Sequence, residues 1–256
     1  MELENIILEK RKHIGIMTIN HPPVNAWNWA TMQDFEKALD AFENDQVVRV
    51  VIITGAGEKC FSAGFDISDA DNAHKTSPKA RKLWRRIDRF PKPVIAAING
   101  YALGGGLELV MCCQFRIMVD APEAKVGLTE LNLGIIPGWG GSQRLPMLVG
   151  KAKALDMILF SRKISATEAL EAGLVNQVSA TGRLMDDTLA FAEKLAKKPP
   201  IAVSCVLRAI AAGAYDGLDA GLKVEEEGSQ TVGQSADCQE GFSAFLEKRE
   251  PEFKGK

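Results

Sequence analysis

The segment that most restricts the fold is Lys92 to Arg144, KPVIAAINGYALGGGLELVMCCQFRIMVDAPEAKVGLTELNLGIIPGWGGSQR. A β-rich run, Val94 to Ile98, is followed by the triplet Gly104-Gly105-Gly106 and then by Leu107 to Cys113, which reads as a buried helix. Glu108 is the one charged side chain in that helix. Carboxylates are rarely buried without a partner, so two readings stand: an acid favouring the helix dipole in a first turn, or a proton-transfer group whose pKa is raised by desolvation. Further on, Glu130 precedes the apolar Leu131 to Pro137, and Gly138, Trp139, Gly140 and Gly141 lead into a helix starting near Ser142. Taken alone, Glu130 reads as a partly exposed loop acid. Taken with Glu108 and a glycine-rich helix start, it completes a set of parts: two acids for protons and backbone N–H groups for a developing oxyanion.

The flanking chain supplies strands and helices to carry these parts. Asn5 to Glu9 and Ile14 to Asn20 lie on either side of the charged Lys10 to His13 and predict a β-hairpin. Ala30 to Asn44 has Met32, Phe35, Leu39 and Phe42 at helical spacing, and Val47 to Thr54 is a β-branched strand. Gly55-Ala56-Gly57 is no dinucleotide fingerprint, because Cys60 stands where its third glycine belongs. Ser68 to Thr76 reads as an exposed loop, Ser77-Pro78 as the start of a basic helix to Arg89, and Lys125 to Leu128 as a short strand. Beyond Arg144 the spacing predicts a helix over 151–160, a capping box at Ser165 to Glu168, a last strand at Leu174 to Val178, and helices on both sides of Pro199-Pro200.

Composition excludes several classes. With 256 residues, 46% hydrophobic, 25% charged and a net charge of −2, nothing points to nucleic acid, apart from the local run of basic residues between Lys79 and Arg89. No apolar run is long enough to span a bilayer and no leader pattern opens the chain, so a cytoplasmic location is expected. Five cysteines without a CxxC pair read as reduced thiols, and three histidines without ligand spacing predict no metal site.

Three segments, Cys60-Phe61-Ser62-Ala63-Gly64-Phe65-Asp66-Ile67, KPVIAAINGYALGGGLEL and GIIPGWGGSQRL, together with the ending EGFSAFLEKREPEF, resemble the signatures of the crotonase superfamily, best known from enoyl-CoA hydratases. The resemblance runs from about Glu4 to Phe253. It implies an α/β fold: a crotonase-like spiral of repeated ββα units over 1–195 with the acyl-CoA site, then a helical oligomerisation region over 196–256 giving trimers or dimers of trimers. It also implies that the backbone N–H groups of Phe65 and Gly105 form an oxyanion hole for the thioester, and that Glu108 and Glu130 are the two catalytic acids. Ala63, Gly64, Asp66, Ile67, Gly104, Gly106, Pro137, Gly138 and Trp139 fall where substrate and CoA would be contacted, and Lys248 where a side chain would reach the CoA of a neighbouring subunit. CoA then arrives with the substrate, and no separate cofactor is expected.

Retention of both acids points to hydration of an enoyl-CoA, straight-chain, cyclic or dienoyl, through a thioester enolate. The alternatives are an isomerase or another enolate-forming enzyme, and a non-catalytic acyl-CoA-binding scaffold. Three positions depart from the family pattern: Thr129 where Pro is frequent, Gln114 where an acid is common, and Trp139 where a small residue is frequent. Trp139 is expected to narrow or flatten the acyl pocket; Trp27 and Trp29 either extend that wall or pack in the core.

Overall fold

The computed structural model describes residues 3–256. The predicted hairpin is present as β1 (Ile6–Arg11) and β2 (Ile14–Ile19), antiparallel, with Ile6 opposite Ile19. Helix α1 (Trp29–Asn44) is capped by Asn28, whose side-chain oxygen accepts the Thr31 N–H at 2.8 Å, and it buries Met32, Phe35, Leu39 and Phe42. The next turn of chain contributes β3 (Val50–Gly55), the short β4 (Cys60–Ser62) and helix α2 (Ala73–Asp88). A further turn contributes β5 (Val94–Ile98), β6 (Tyr101–Leu103) and α3 (Gly105–Cys112); then come β7 (Phe115–Asp120) and β8 (Val126–Gly127). Helices α4 (Gly141–Val149), α5 (Lys151–Leu159) and α6 (Ala166–Glu171), strand β9 (Gln177–Ala180) and helix α7 (Leu184–Ala196) complete the body.

From β3 to β8 the first strand of each pair enters the larger sheet, which already holds β1 and β2, and the second enters another. The larger sheet has the order β1-β2-β3-β5-β7-β9 and is parallel from β2 onward; the smaller is the parallel trio β4-β6-β8. This alternation is the ββα spiral. Strands β3 and β5 are buried along their whole length, which is why they read as unbroken apolar runs rather than alternating ones. Gly55 serves this stacking, since a Cβ there would lie 2.4 Å from the Cys60 carbonyl oxygen.

After the body come three helices, α8 (Pro200–Asp216), α9 (Leu218–Gly233) and α10 (Ala236–Glu247). Among the described residues no helix is long and apolar enough to cross a membrane.

Two local expectations are corrected. Residues 68–76 are not a loop: a 3-10 turn covers Ile67–Asn72, with Asp66 accepting the Ser68 N–H at 3.0 Å, and α2 begins at Ala73. Pro78 therefore lies inside the helix, where its missing N–H forgoes only the bond to the His74 carbonyl. The last strand is displaced to Gln177–Ala180, because Leu174 and Val175 close the turn after α6. Four of the basic side chains of α2 and its C-cap are paired, whereas Arg81 and Lys82 are exposed and, among the described residues, have no ion pair. Lys79 pairs with Glu36, Arg86 with Asp40 and Glu43, and Arg85 and Arg89 with Asp216.

Candidate active site

The three strands of the smaller sheet end at the three parts of the site. Beyond β4 lie Ala63, Gly64 and Phe65; beyond β6 lie Gly104, Gly105 and Gly106; beyond β8 lies Glu130, opening a 3-10 turn (Glu130–Leu133). Parallel register thus brings together residues that are distant in sequence. The approach is close: a Cβ on Gly64, which has a φ of +91°, would lie 2.8 Å from the Gly105 nitrogen. The Trp27 N–H donates to the Gly64 carbonyl at 2.8 Å and the Asp66 N–H to the Trp27 carbonyl at 3.1 Å, which fixes the loop on both sides of Phe65. Among the described residues neither the Phe65 nor the Gly105 N–H has a hydrogen-bond acceptor. Two adjacent free amides, one at the start of α3, are a ready site for an anionic oxygen.

Each glycine of the triplet answers to a different neighbour. Gly104 has a φ of +52°, and a Cβ on it would lie 3.3 Å from Glu130 Oε1. On Gly105 it would lie 2.3 Å from the Trp139 ring, and on Gly106 2.3 Å from the Ser62 carbonyl oxygen. The need for glycine at 105 therefore comes first from the indole beside it.

Glu108 is 1% exposed. Its Oε1 accepts the N–H groups of Trp139 and Gly141, each at 2.7 Å. Burial pushes its pKa up to about 7; the hydrogen bond from Gly141 works against that shift, and the nearby Glu130 adds to it. Glu130 is 9% exposed and burial also raises its pKa; its Oε2 is buried with no protein partner. The two acids are close enough for the charge of Glu130 to act on Glu108.

Aromatic rings close one side. Trp139, 5% exposed, meets Phe65 edge-on at 6.2 Å and Trp84 at 5.7 Å; Trp84 in turn meets Trp27 at 5.1 Å. Trp27 is wholly buried against Phe35 and belongs to the core, not to a substrate wall.

A family model described as enoyl-CoA hydratase/isomerase matches residues 9–256. The chain belongs to this family, within the crotonase superfamily. Among relatives of the family it is 41% identical to a probable enoyl-CoA hydratase of Bacillus subtilis, with 98% of both chains covered, and 40% identical to a short-chain-enoyl-CoA hydratase of Clostridium acetobutylicum, again with 98% of both covered. The crystal structure of an enoyl-CoA hydratase from Bacillus anthracis superposes with a TM-score of 0.94 at 39% identity, covering 99% of this chain and 100% of that one.

The remaining family positions surround these parts. Asp66 caps the 3-10 turn and Ile67 is 64% exposed, so both stand at the outer rim. Pro137 is buried and Gly138 exposed at the entrance to the Trp139 turn. Lys248 ends α10 in a left-handed conformation, and among the described residues its side chain has no hydrogen bond or ion pair with the site. Gln114, a departure from the family pattern, ties two elements together, accepting the Val94 N–H at 2.8 Å and donating to the Ile87 carbonyl at 3.0 Å.

Sequence reasoning missed Asp88, Arg144 and Tyr215. Arg144 donates to the carboxylate of Asp88, and so does the Tyr215 hydroxyl, at 2.9 Å. The available signal was Asp88 itself, one helical turn after Trp84 on the buried face of α2.

Proposed function

We propose that this enzyme is a hydro-lyase that adds water reversibly across the 2,3 double bond of an enoyl-CoA. The observation that carries the reading is the pair of buried carboxylates, Glu108 and Glu130, beside the two free amides of Phe65 and Gly105. The thioester oxygen sits between those amides and takes up enolate charge, where each donor of this kind is worth about 3 kcal/mol of transition-state stabilisation. Glu108, with one oxygen fixed by the Trp139 turn, activates a water for addition at the β carbon; Glu130, with an unpartnered oxygen, exchanges a proton with the α carbon. CoA is carried by the substrate, and no separate cofactor takes part.

The acyl group is short. The Trp139 ring stands flush against Gly105, next to where the thioester would lie, and Trp84 backs it, so extra methylenes in that direction meet a wall. The relative named as a short-chain enzyme agrees with this. Helices α8 to α10 form the self-association region, which supplies Lys248 to a neighbouring subunit's CoA.

Loss of the enoyl-thioester absorbance of crotonyl-CoA, with a hydroxyacyl-CoA product identified by mass, tests the reading. Glu108→Gln and Glu130→Gln should each lower kcat by about a hundredfold or more with little change in CoA binding. An enzyme that shifts a double bond using Glu130 alone would keep most of its rate in the Glu108→Gln variant.

A further inference from the structure

Glu108 is aimed by main chain alone, the turn Trp139 to Gly141, and that turn is itself held from behind. Arg144 Nη1 donates to the Trp139 carbonyl at 3.0 Å. Its guanidinium also occupies the space beside Gly140, whose φ is +109°; a Cβ there would fall 1.9 Å from Nη1. The rest of the guanidinium grips Asp88, with Nε donating to Oδ1 at 3.0 Å and Nη2 to Oδ2. The Asp88 side chain is 1% exposed and that of Arg144 11%. Tyr215, on α8, donates its hydroxyl to Asp88 Oδ1 at 2.9 Å. Beyond it Arg85 and Arg89 lie over the Tyr215 ring, at 5.4 and 5.9 Å from its centroid, and both pair with Asp216.

A buried ion pair is by itself weak evidence for any role, because well-packed apolar residues often serve stability as well. The direction of this one is specific. A planar fork fixed on Asp88 through two of its nitrogens has the third, Nη1, on the carbonyl of the very residue whose N–H holds Glu108. We propose that Arg144, oriented by Asp88 and Tyr215, is the positioning residue for Glu108, acting through the Trp139 to Gly141 turn.

The inference rests on the hydratase reading in one respect, that Glu108 is the carboxylate that activates water. The groups facing Glu108 divide by sign. Glu130, from the turn after β8, raises its proton affinity and Arg144, from α4, lowers it. On its own helix Cys112 is a neutral thiol, since burial pushes its pKa well up. From α2 Asp88 lies behind Arg144, and from α8 Tyr215 is a neutral phenol, its pKa pushed by burial up to about 12.

The experiment is steady-state hydration of crotonyl-CoA by the full-length protein over about pH 5 to 9, with thermal melts of every variant. Arg144→Lys keeps the charge and loses the fork: kcat should fall by about ten- to a hundredfold with KM nearly unchanged, and the acid limb of the profile should stay where the wild type has it. Arg144→Gln loses both, so kcat should fall and the acid limb should move to higher pH. Asp88→Asn combined with Arg144→Gln leaves no unpaired buried charge; it should melt cooperatively and still show the loss of kcat. Tyr215→Phe should cost about threefold.

If Arg144→Gln and the double variant melt earlier but keep the wild-type kcat and acid limb, the network is packing only and the proposal is overturned. A wild type that hydrates no enoyl-CoA, or a Glu108→Gln variant at full rate, overturns the hydratase reading instead, and these two results involve no Arg144 variant.

Discussion

At the scale of single residues, Glu108 holds its charge at a cost. Its pKa stands near 7 against an ordinary 4.5, so between those values the folded chain binds a proton that the unfolded chain has released, and stability falls as pH rises through that window. Above the window the penalty is on the order of 3 kcal/mol, and below it there is none. Glutamine keeps an acceptor for the Trp139 and Gly141 amides and carries no charge. Glu108→Gln should therefore melt several degrees above the wild type at pH 8 and together with it at pH 4, while losing activity; a pH series of melting curves checks this. If the ionised form activates water, the wild-type rate should fall on the acid side of about pH 7. Trp139 makes a separable prediction. Its N–H holds Glu108 whatever its side chain is, so Trp139→Leu should keep crotonyl-CoA hydration within about tenfold and raise kcat/KM for an eight- or ten-carbon enoyl-CoA relative to it. An unchanged ratio would remove the indole from chain-length selection.

Elements show what kind of information a sequence carries openly. The capping box of α6 was legible because it is local: Ser165 Oγ accepts the Glu168 N–H at 3.3 Å and Glu168 returns a bond to the Ser165 N–H at 2.9 Å. Ser165→Ala should lower stability by about 1 kcal/mol and leave kcat alone, measured by denaturant unfolding and steady-state rates. The hairpin, β5 and α3 were legible for the same reason, since period and apolar runs decide them. Strands β4 and β6 were not, because three residues are too few to show a period and their pairing is with chain far away. The start of α2 was misplaced by a serine-proline pair that looks like a helix opening, when Asp66 had already turned the chain. In the site, the acids and glycines stood out as odd residues in apolar company. Arg144 did not, because its partners come from α2 and α8 and nothing in its own neighbourhood announces them.

For the molecule as a whole, the helices after the body leave apolar side chains in the open. Val206 and Ile210 on α8, Leu218 and Leu222 on α9, and Phe242, Phe245 and Leu246 on α10 are each more than half exposed. A set of this size on adjacent helices is what a contact between copies would cover. Ile210→Glu should shift the protein from a trimer or larger species toward monomer in sedimentation velocity, and a wild type that sediments as a monomer would remove the self-association reading. The spiral itself has a bearing on how such a protein can diverge. Because β4, β6 and β8 each end at one part of the site, losing or gaining a residue within any one of them displaces that part by a strand step, about 3.3 Å, relative to the other two. Deletions and insertions inside these three strands would therefore break the site, whereas the connections beyond them can change length without altering that spacing.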